Sequence, residues 1–498
     1  MIIQRPQNIP YRDEPLEAHS WHLQYLKLYA ENQTLKEQLQ SQGQMLLKLQ
    51  ERIKELEGML AKNSSNSSKP PSSDGLNKPN SKSQRKKSGR KTGGQKGHQG
   101  ITLEQVEVPD FVEKHKLSLC EKCQYSLSEL EASQHEKRQE FEIPEAKLQV
   151  TEHRAEIKIC PRCGTINKAK FPDHITQPVQ YGKRVKATAV YYSQNQLLPY
   201  DRLQAIFRDI HGFEKLSEGT LYNIYNSGYE KLENFSENVK QEIIKSGAAN
   251  FDESGMRVNK KLNWLHVSST EKLTHYEIHE KRGSEAMDKI GILPAFSGRA
   301  IHDHWSAYFK YTCDHGLCNA HHLRELTYHQ EQYSQVWCEK ITAHLLTIKE
   351  EVAKTKEAGD NQLSSKKIAF FERKYDRILS DGAKEIPELI KDETKKTGRK
   401  KQHPTQNLWD RLFGYKKETL AFMYDFSVPF TNNLGEQDIR MVKVKQKISG
   451  CFRSFHGADI FCRTRGYIST MRKQGVNILD ALIQVFEGRP ITPMNDTT

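Results

Sequence analysis

From Tyr25 onward the apolar positions recur in steps of three and four: Tyr25, Leu28, Asn32, Leu35, Leu39, Gln42, Leu46, Leu49, Ile53, Leu56 and Leu60. This is the a/d seam of a coiled coil, and it predicts one over 20–61 through which the protein self-associates. Asn32 at an a position favours a parallel pair in fixed register. Gly43 interrupts the pattern, so a single amphipathic helix packed on its own domain is the alternative. A second helical stretch begins at Tyr200. YDRLQAIFRDI, a short turn, and EGTLYNIYNSGYEKL capped by Ser217 predict a helix pair whose second member could enter a major groove or simply pack. After Ala248 the period changes to two. ANFDESGMRV, KLNWLHVSS and LTHYEIHE read as three successive strands, followed by a helix from Ser284 and a further strand in GRAIHDHWSAYF.

Such an order, a meander, a helix and another strand, is the opening of an α/β domain of RNase H-like type. Helical patterning returns downstream, as in VWCEKITAHLLTIKEEVAKTKE, and then PFTNNLGEQDIRMVKVKQKISG opens like a helix with Asn433 as N-cap and Glu436 at N3. The patterning divides the chain into a coiled coil (20–61), a linker (62–110), a cysteine-bearing stretch (111–170), a helical region (175–245) and an α/β core in two parts (246–320 and 421–498) on either side of residues 321–420.

Composition changes this picture in one place. Over 498 residues the net charge is +13, a balance that suits a polyanionic partner. Between Ala61 and Gly100 there are ten Lys or Arg against the single acid Asp74, and ten less one leaves +9 of that excess on a Ser-, Asn-, Pro- and Gly-rich stretch. No packed core can form there. It reads either as a DNA arm, with Arg90, Lys91 and Lys96 set between glycines, or as a solvated linker. No apolar run approaches the ~18 residues of a membrane span, and the first residues lack a leader pattern, so a soluble, cytoplasmic protein is expected.

Nine cysteines, an odd number, include two CxxC pairs, Cys120/Cys123 and Cys160/Cys163. Two such pairs can supply four thiolates to one tetrahedral zinc ion, closed and structural; isolated buried cysteines are the alternative. Cys318 and His321 form a CxxH pair that could brace the site loop, contact DNA or merely pack.

Three acids stand out. Asp252 lies on the first predicted strand and Asp303 at the end of the fourth, while Glu253, by strand alternation, faces away from Asp252. Glu436 shares a helix face with Arg440 and Lys443, and Gly435 leaves room beside it. A carboxylate beside a basic stripe suits a metal site that meets phosphate, because phosphoryl transfer uses two divalent ions roughly 4 Å apart and magnesium prefers hard oxygen ligands.

KPPSSDG, GRKTGGQKGHQG, CPRCG, FDESG, IHDHWSAY, CNAHHLREL and PFTNNLGEQDIR, in this order over nearly the whole chain, resemble the transposases of the insertion sequence 66 family. The resemblance implies a DDE transposase whose three acids match Asp252, Asp303 and Glu436, with two magnesium ions and one zinc ion. It implies a basic flexible linker (62–110), a zinc-finger domain (111–170), a helix-turn-helix-like DNA-binding region (175–245) and a catalytic core (246–320 and 421–498) interrupted by a mostly helical insertion (321–420), with magnesium-dependent cleavage at the terminal repeats of an insertion sequence and strand transfer into target DNA. Arg440, Lys443 and Lys445 are expected on phosphates, the protein on double-stranded DNA at the nucleoid, and two small accessory proteins as partners. His304 stands where a smaller residue is expected. A catalytically inactive, zinc-containing DNA-binding or repressor protein is the principal rival, and a stand-alone structure-selective nuclease the second.

Overall fold

The computed structural model describes residues 17–63, 66–67, 97, 103–386 and 402–494. Arg90, Lys91 and Lys96, and most of the expected linker, lie outside the described residues. The chain divides into two compact units, 1–81 with 319–419 and 82–318 with 420–498. Among the described residues no helix is long and apolar enough to cross a membrane.

The elements follow the predicted periodicities closely. Helix α1 (Glu17–Ala61) runs unbroken through Gly43. Strands β1 (Ile157–Ile159) and β2 (Ile166–Lys168) form an antiparallel ribbon around CPRCG. Helix α2 (Lys183–Val190) continues into a π-helical turn at Tyr191–Asn195, and α3 (Tyr200–His211), α4 (Glu218–Lys231) and α5 (Glu233–Lys245) follow. Ser217 caps α4, its side chain accepting the Thr220 N–H at 3.1 Å.

Next come β3 (Ala248–Val258), β4 (Lys261–Ser269), β5 (Thr274–His279), α6 (Ser284–Ile290), β6 (Arg299–His302) and β7 (Asp314–Leu317). The first unit then receives α7 (Asn319–Tyr333), α8 (Val336–Glu357), α9 (Ser365–Ala383), α10 (Pro404–Gly414) and α11 (Lys416–Thr419). The second unit closes with α12 (Ala421–Tyr424), α13 (Asn433–Ser449), α14 (Phe455–Lys473) and α15 (Ile478–Phe486).

In the first unit, α7 to α10 build a helical core around the fully buried Trp337, Ile341 and Tyr375, and the Tyr375 hydroxyl donates to the Leu412 carbonyl at 2.8 Å. The C-terminal end of α1 is tied to α7: the Tyr328 hydroxyl donates to the Gly58 carbonyl at 2.8 Å. Further back, Leu28, Leu35, Leu39, Leu46, Leu49 and Ile53 remain exposed along α1.

The second unit is built on a five-stranded mixed sheet in the order β5-β4-β3-β6-β7. Strands β3, β4 and β5 are antiparallel neighbours, whereas β6 joins β3, and β7 joins β6, in parallel. Alternation along β3 sends its residues to two cores. Ala249 and Phe251 pack with α6 in a large core that also contains α2 to α5, α14 and α15, so the helix pair shares its core with the sheet. Met256 and Val258 pack on the other face against Ile439 and Val442 of α13 and Phe461 of α14. Helix α13 is thus held along β3, and this packing positions the site.

Candidate functional site

The β3–β6 register determines where the first two acids meet. Asn250 pairs with Ile301 across these parallel strands; two residues further along each chain are Asp252, still on β3, and Asp303, just past the end of β6 and near enough to act on the Asp252 carboxyl. The Asp252 Oδ1 accepts the Glu253 N–H at 2.8 Å, and the Asp303 Oδ1 accepts the Trp305 N–H at 3.0 Å.

Glu436 is delivered by a close approach of α13. A Cβ added at Gly435 would stand 3.3 Å from the Asp252 Cβ and 3.1 Å from the Asn432 Oδ1, so glycine lets the first turn of the helix lie against the strand. The anchor is Asn432, fully buried. Its side-chain amide donates to the Phe251 carbonyl at 2.9 Å, its Oδ1 accepts the Asn250 amide at 2.6 Å, and its N–H donates to the Cys318 Sγ at 3.1 Å. Asn432, rather than the expected Asn433, is the N-cap residue, and no side-chain cap bond is made. Asn432 uses its side chain to clamp β3, which sets the helix start one residue earlier and leaves Asn433 exposed. The Cys318 Sγ also lies within 4.8 Å of a Glu436 carboxylate oxygen. His321 belongs to α7 of the other unit.

The charges at this point repel. The Asp252 carboxyl is held well above the usual carboxylate range, first by burial and then by Glu253, Asp303 and Glu436. Like charges crowded in a shielded setting disfavour ionisation, and a divalent cation is the species that reverses that penalty. Among the described residues the three carboxylates are not gathered within one coordination-sized group, but as oxygen donors from β3, the end of β6 and α13 they are of the type that a hard metal such as magnesium takes.

Glu253 lies on the other face of β3 and is taken up by protein groups. Arg282 donates to its Oε1 through Nε at 2.8 Å and Nη2 at 2.5 Å, and the Tyr308 hydroxyl donates to its Oε2 at 2.5 Å. Burial and Asp303 push this carboxyl up, while Tyr308 and Arg282 oppose the shift. The Arg282 guanidinium stacks on Trp305 at 4.1 Å, bracing the loop that follows Asp303.

That loop is also held from below. The His304 N–H donates to His302 Nδ1 at 3.2 Å, so His302 carries its proton on Nε2 and donates to His315 Nδ1 at 3.1 Å, and His315 donates in turn to the Tyr311 carbonyl at 3.3 Å. Burial, then His315 and His304, hold His302 well below the usual imidazole range, which keeps its own ring neutral. His304 itself has φ +75°, a left-handed conformation that glycine adopts at lower cost.

The basic residues expected on phosphates divide. Arg440 is exposed. Lys443 instead donates to the Gly255 carbonyl at 2.9 Å and is pulled down by burial, and half-buried Lys445 donates to Ser449 Oγ at 3.1 Å. No sequence pattern distinguishes these struts from Arg440. Asn432, Asn250, Arg282, Tyr308 and His315 were likewise not legible in the sequence, since each acts through a partner distant along the chain.

Each CxxC pair forms a similar turn. The Cys120 N–H donates to the Tyr125 carbonyl and the Gln124 N–H to the Cys120 carbonyl, both at 2.9 Å; Cys160, Thr165 and Gly164 repeat the pattern at the same distances. Gln124 and Gly164, each following the second cysteine, both have positive φ. Hydrogen bonds within each turn lower the thiols of Cys120, chiefly the Cys123 backbone N–H, and of Cys163, chiefly the Thr165 side chain, in the direction metal binding needs. Among the described residues the four sulfurs are not gathered into one coordination-sized group.

Comparison with known families bears on both regions. Residues 178–460, which contain all three acids, match the family described as Transposase IS66 family. Residues 118–164, which contain all four paired cysteines, match the zinc-finger binding domain of transposase IS66, and residues 20–104 match a family of unknown function. No curated protein matches the chain significantly.

Proposed function

The chain belongs to the IS66 transposase family, and from that membership we propose that it is a DDE transposase. It binds the terminal repeats of an insertion sequence and catalyses magnesium-dependent cleavage and strand transfer. The observation that carries this reading is geometric: Asp303 follows the end of β6, the strand paired with β3, and Gly435 lets the helix turn that bears Glu436 lie so close to β3 that an added Cβ would stand 3.3 Å from the Asp252 side chain. The strand order β5-β4-β3-β6-β7 with one antiparallel meander supports an RNase H-like core.

Asp252, Asp303 and Glu436 would hold two magnesium ions. When bound, these supply charge stabilisation and an activated nucleophile for in-line displacement at phosphorus. The chain's own part is orientation. Asn432 and Gly435 hold Glu436 against Asp252, the Trp305 N–H and the His302 chain fix Asp303, and Arg440 would hold a phosphate beside the site. No covalent link between protein and DNA is required. The exposed seam of α1 would be covered by a second copy, so that two element ends are processed together. The basic arm with Arg90, Lys91 and Lys96, the zinc module and the helix pair would recognise the ends. Two accessory proteins of the same element, and a cytoplasmic site of action on the nucleoid, complete the reading.

The test incubates the full-length protein and magnesium with labelled DNA carrying the sequences that flank its own reading frame. Nicks ending in 3′-hydroxyls, and joined products, are expected from wild type and not from Asp303→Asn. End binding by both proteins without cleavage, even with the accessory proteins added, would move the assignment to an inactive DNA-binding derivative. Hydrolysis without joining would move it to a nuclease.

For the cysteines, the family match supports one zinc ion held by Cys120, Cys123, Cys160 and Cys163. Elemental analysis of the purified protein is expected to give about one zinc per chain, and Cys160→Ser with Cys163→Ser about none. Full zinc retention in that variant would remove these residues from the metal site.

A further inference from the structure

The α13–β3 pair continues past the acids to a tip of unusual composition. Along it the pairings come in order: Gly435 against Asp252, Lys443 on the Gly255 carbonyl, and Phe452 bonded to both Arg257 and Asn259, its N–H donating at 3.0 Å and its carbonyl accepting at 2.7 Å. Helix and strand therefore run side by side for about 20 Å from Asp252 to Val258, at about 3.3 Å per strand residue.

Neither segment of this stretch carries an acid. Residues 255–263 contain Arg257, Lys260 and Lys261, and residues 440–458 contain Arg440, Lys443, Lys445, Lys447 and Arg453; there is no Asp or Glu in either. Three plus five makes eight bases. Lys443 and Lys445 are turned to protein acceptors and are partly buried, whereas Arg257, Lys260, Lys261, Arg440, Lys447 and Arg453 are exposed, Arg257 donating to the Lys260 carbonyl at 3.1 Å and Arg453 standing 3.8 Å from Glu218.

The turn at the tip bears on purpose. Asn259 and Lys260 have φ +46° and +65°, the two left-handed positions of a two-residue hairpin whose preferred sequence is Asn-Gly. Lysine at the second position retains a conformational cost that glycine would remove, and such costs persist mainly where the side chain serves a function.

We infer that these six exposed bases form a track for the phosphate backbone of duplex DNA, leading away from the catalytic acids and ending at the β3–β4 hairpin. The inference rests on the DNA-processing reading above and adds to it a specific binding surface. A 20 Å track covers about six base pairs at 3.4 Å per step, so it grips the duplex on one side of the phosphate being processed. The grip is through charge, without base reading, because its residues are exposed cations spread along the track rather than a bidentate pair aimed at one base edge.

The probe is a labelled 30-base-pair duplex of arbitrary sequence, titrated with the full-length protein across a series of salt concentrations. Removing one cation that neutralises a phosphate should reduce the log–log salt slope by about 0.9. Arg257→Gln with Lys260→Gln and Lys261→Gln is expected to make the slope shallower by between about 2 and 3. Removing three exposed bases of the same unit that lie outside the helix pair and the track, Lys289, Lys310 and Arg489, is expected to leave it nearly unchanged. Lys260→Gly keeps the test clear of misfolding: it relaxes the turn, so the protein should melt no lower than wild type, yet the slope should fall by about 0.9. Unchanged slopes in both hairpin variants, with wild type binding the duplex, would overturn the track and leave the transposase reading standing. Equal losses from the control set would also overturn it, by reducing the effect to net charge. Failure of wild type to bind any duplex would overturn the DNA reading and the track together.

Discussion

Asp252→Asn is expected to melt a few degrees higher than wild type in metal-free buffer at neutral pH, and to lose the stabilisation that magnesium gives wild type. Asp252 is half-buried, and burial together with the nearby charges of Glu253, Asp303 and Glu436 raises its carboxyl well above the ordinary value of 3.8. A carboxyl whose folded-state value is raised opposes folding once it ionises. That penalty is absent below about pH 4, grows as pH rises through the raised value, and is present in full above it. Asparagine keeps the shape and can still accept the Glu253 N–H, but it carries no charge. The gain over wild type should therefore shrink as pH falls toward 4. A relief of about 1 kcal/mol corresponds to roughly 2–4 °C for a domain of this order of size. Magnesium should raise the wild-type midpoint because it binds only the folded arrangement, and should not raise that of the variant. Cleavage should fall more than about 100-fold, since even residues that merely support a metal ligand cost 10–100-fold in affinity or activity. A variant that melts at or below wild type without metal, or that magnesium stabilises equally, would remove Asp252 from the metal site.

The same residues mark how far the sequence could be read. The meander of β3, β4 and β5 was legible because alternation is a local property, and Asp252 fell on its first strand and Asp303 at the end of β6, as expected. Strand β7, the four residues Asp314–Leu317, was not: a strand so short, added in parallel at the sheet edge, carries no period to detect. Glu436 was legible through its helix, but which of two adjacent asparagines begins that helix depended on Asn250 and the Phe251 carbonyl, about 180 residues earlier. Lys443 and Arg440 look alike in a helical projection and differ only because Gly255 offers one of them a carbonyl. Helix α14 is the clearest limit. Its sequence FHGADIFCRTRGYISTMRK reads as polar on several sides, yet most of it is buried, including Arg465 at 1% exposure. Arg465 is accommodated because the π-helical turn offers the carbonyls of Gln194 and Asn195 at 3.3 and 3.4 Å, a feature that no spacing rule announces.

Lys473→Met is expected to destabilise the protein by about 3 kcal/mol or more and to weaken magnesium binding, although residue 473 lies outside the proposed metal site. The Lys473 Nζ donates to Asp438 Oδ2 at 2.9 Å and to the carbonyls of Thr270 and Leu273 at 2.8 and 3.0 Å. Both members of the ion pair are nearly buried, their side chains 13% and 11% exposed. Methionine fills similar space but leaves the Asp438 carboxylate to the weaker, uncharged Thr274 hydroxyl, 3.3 Å away, and removes the donor of both carbonyls. Breaking a buried pair by deleting one partner costs about 3–5 kcal/mol, chiefly through the uncompensated charge. Asp438 sits two residues after Glu436 on α13, and its backbone carbonyl also accepts the Tyr276 hydroxyl at 3.0 Å, so this pair fixes the helix that carries the third acid. Adding Asp438→Asn to Lys473→Met removes the stranded charge and should restore part of the stability, a coupling that a double-mutant cycle in urea would measure. The magnesium-induced rise in melting temperature should be smaller in the single variant than in wild type and partly recovered in the double. A loss below about 1 kcal/mol, or a double variant no more stable than the single, would mean that α13 is held by its apolar face alone. An undiminished magnesium response in the single variant would separate the pair from the site.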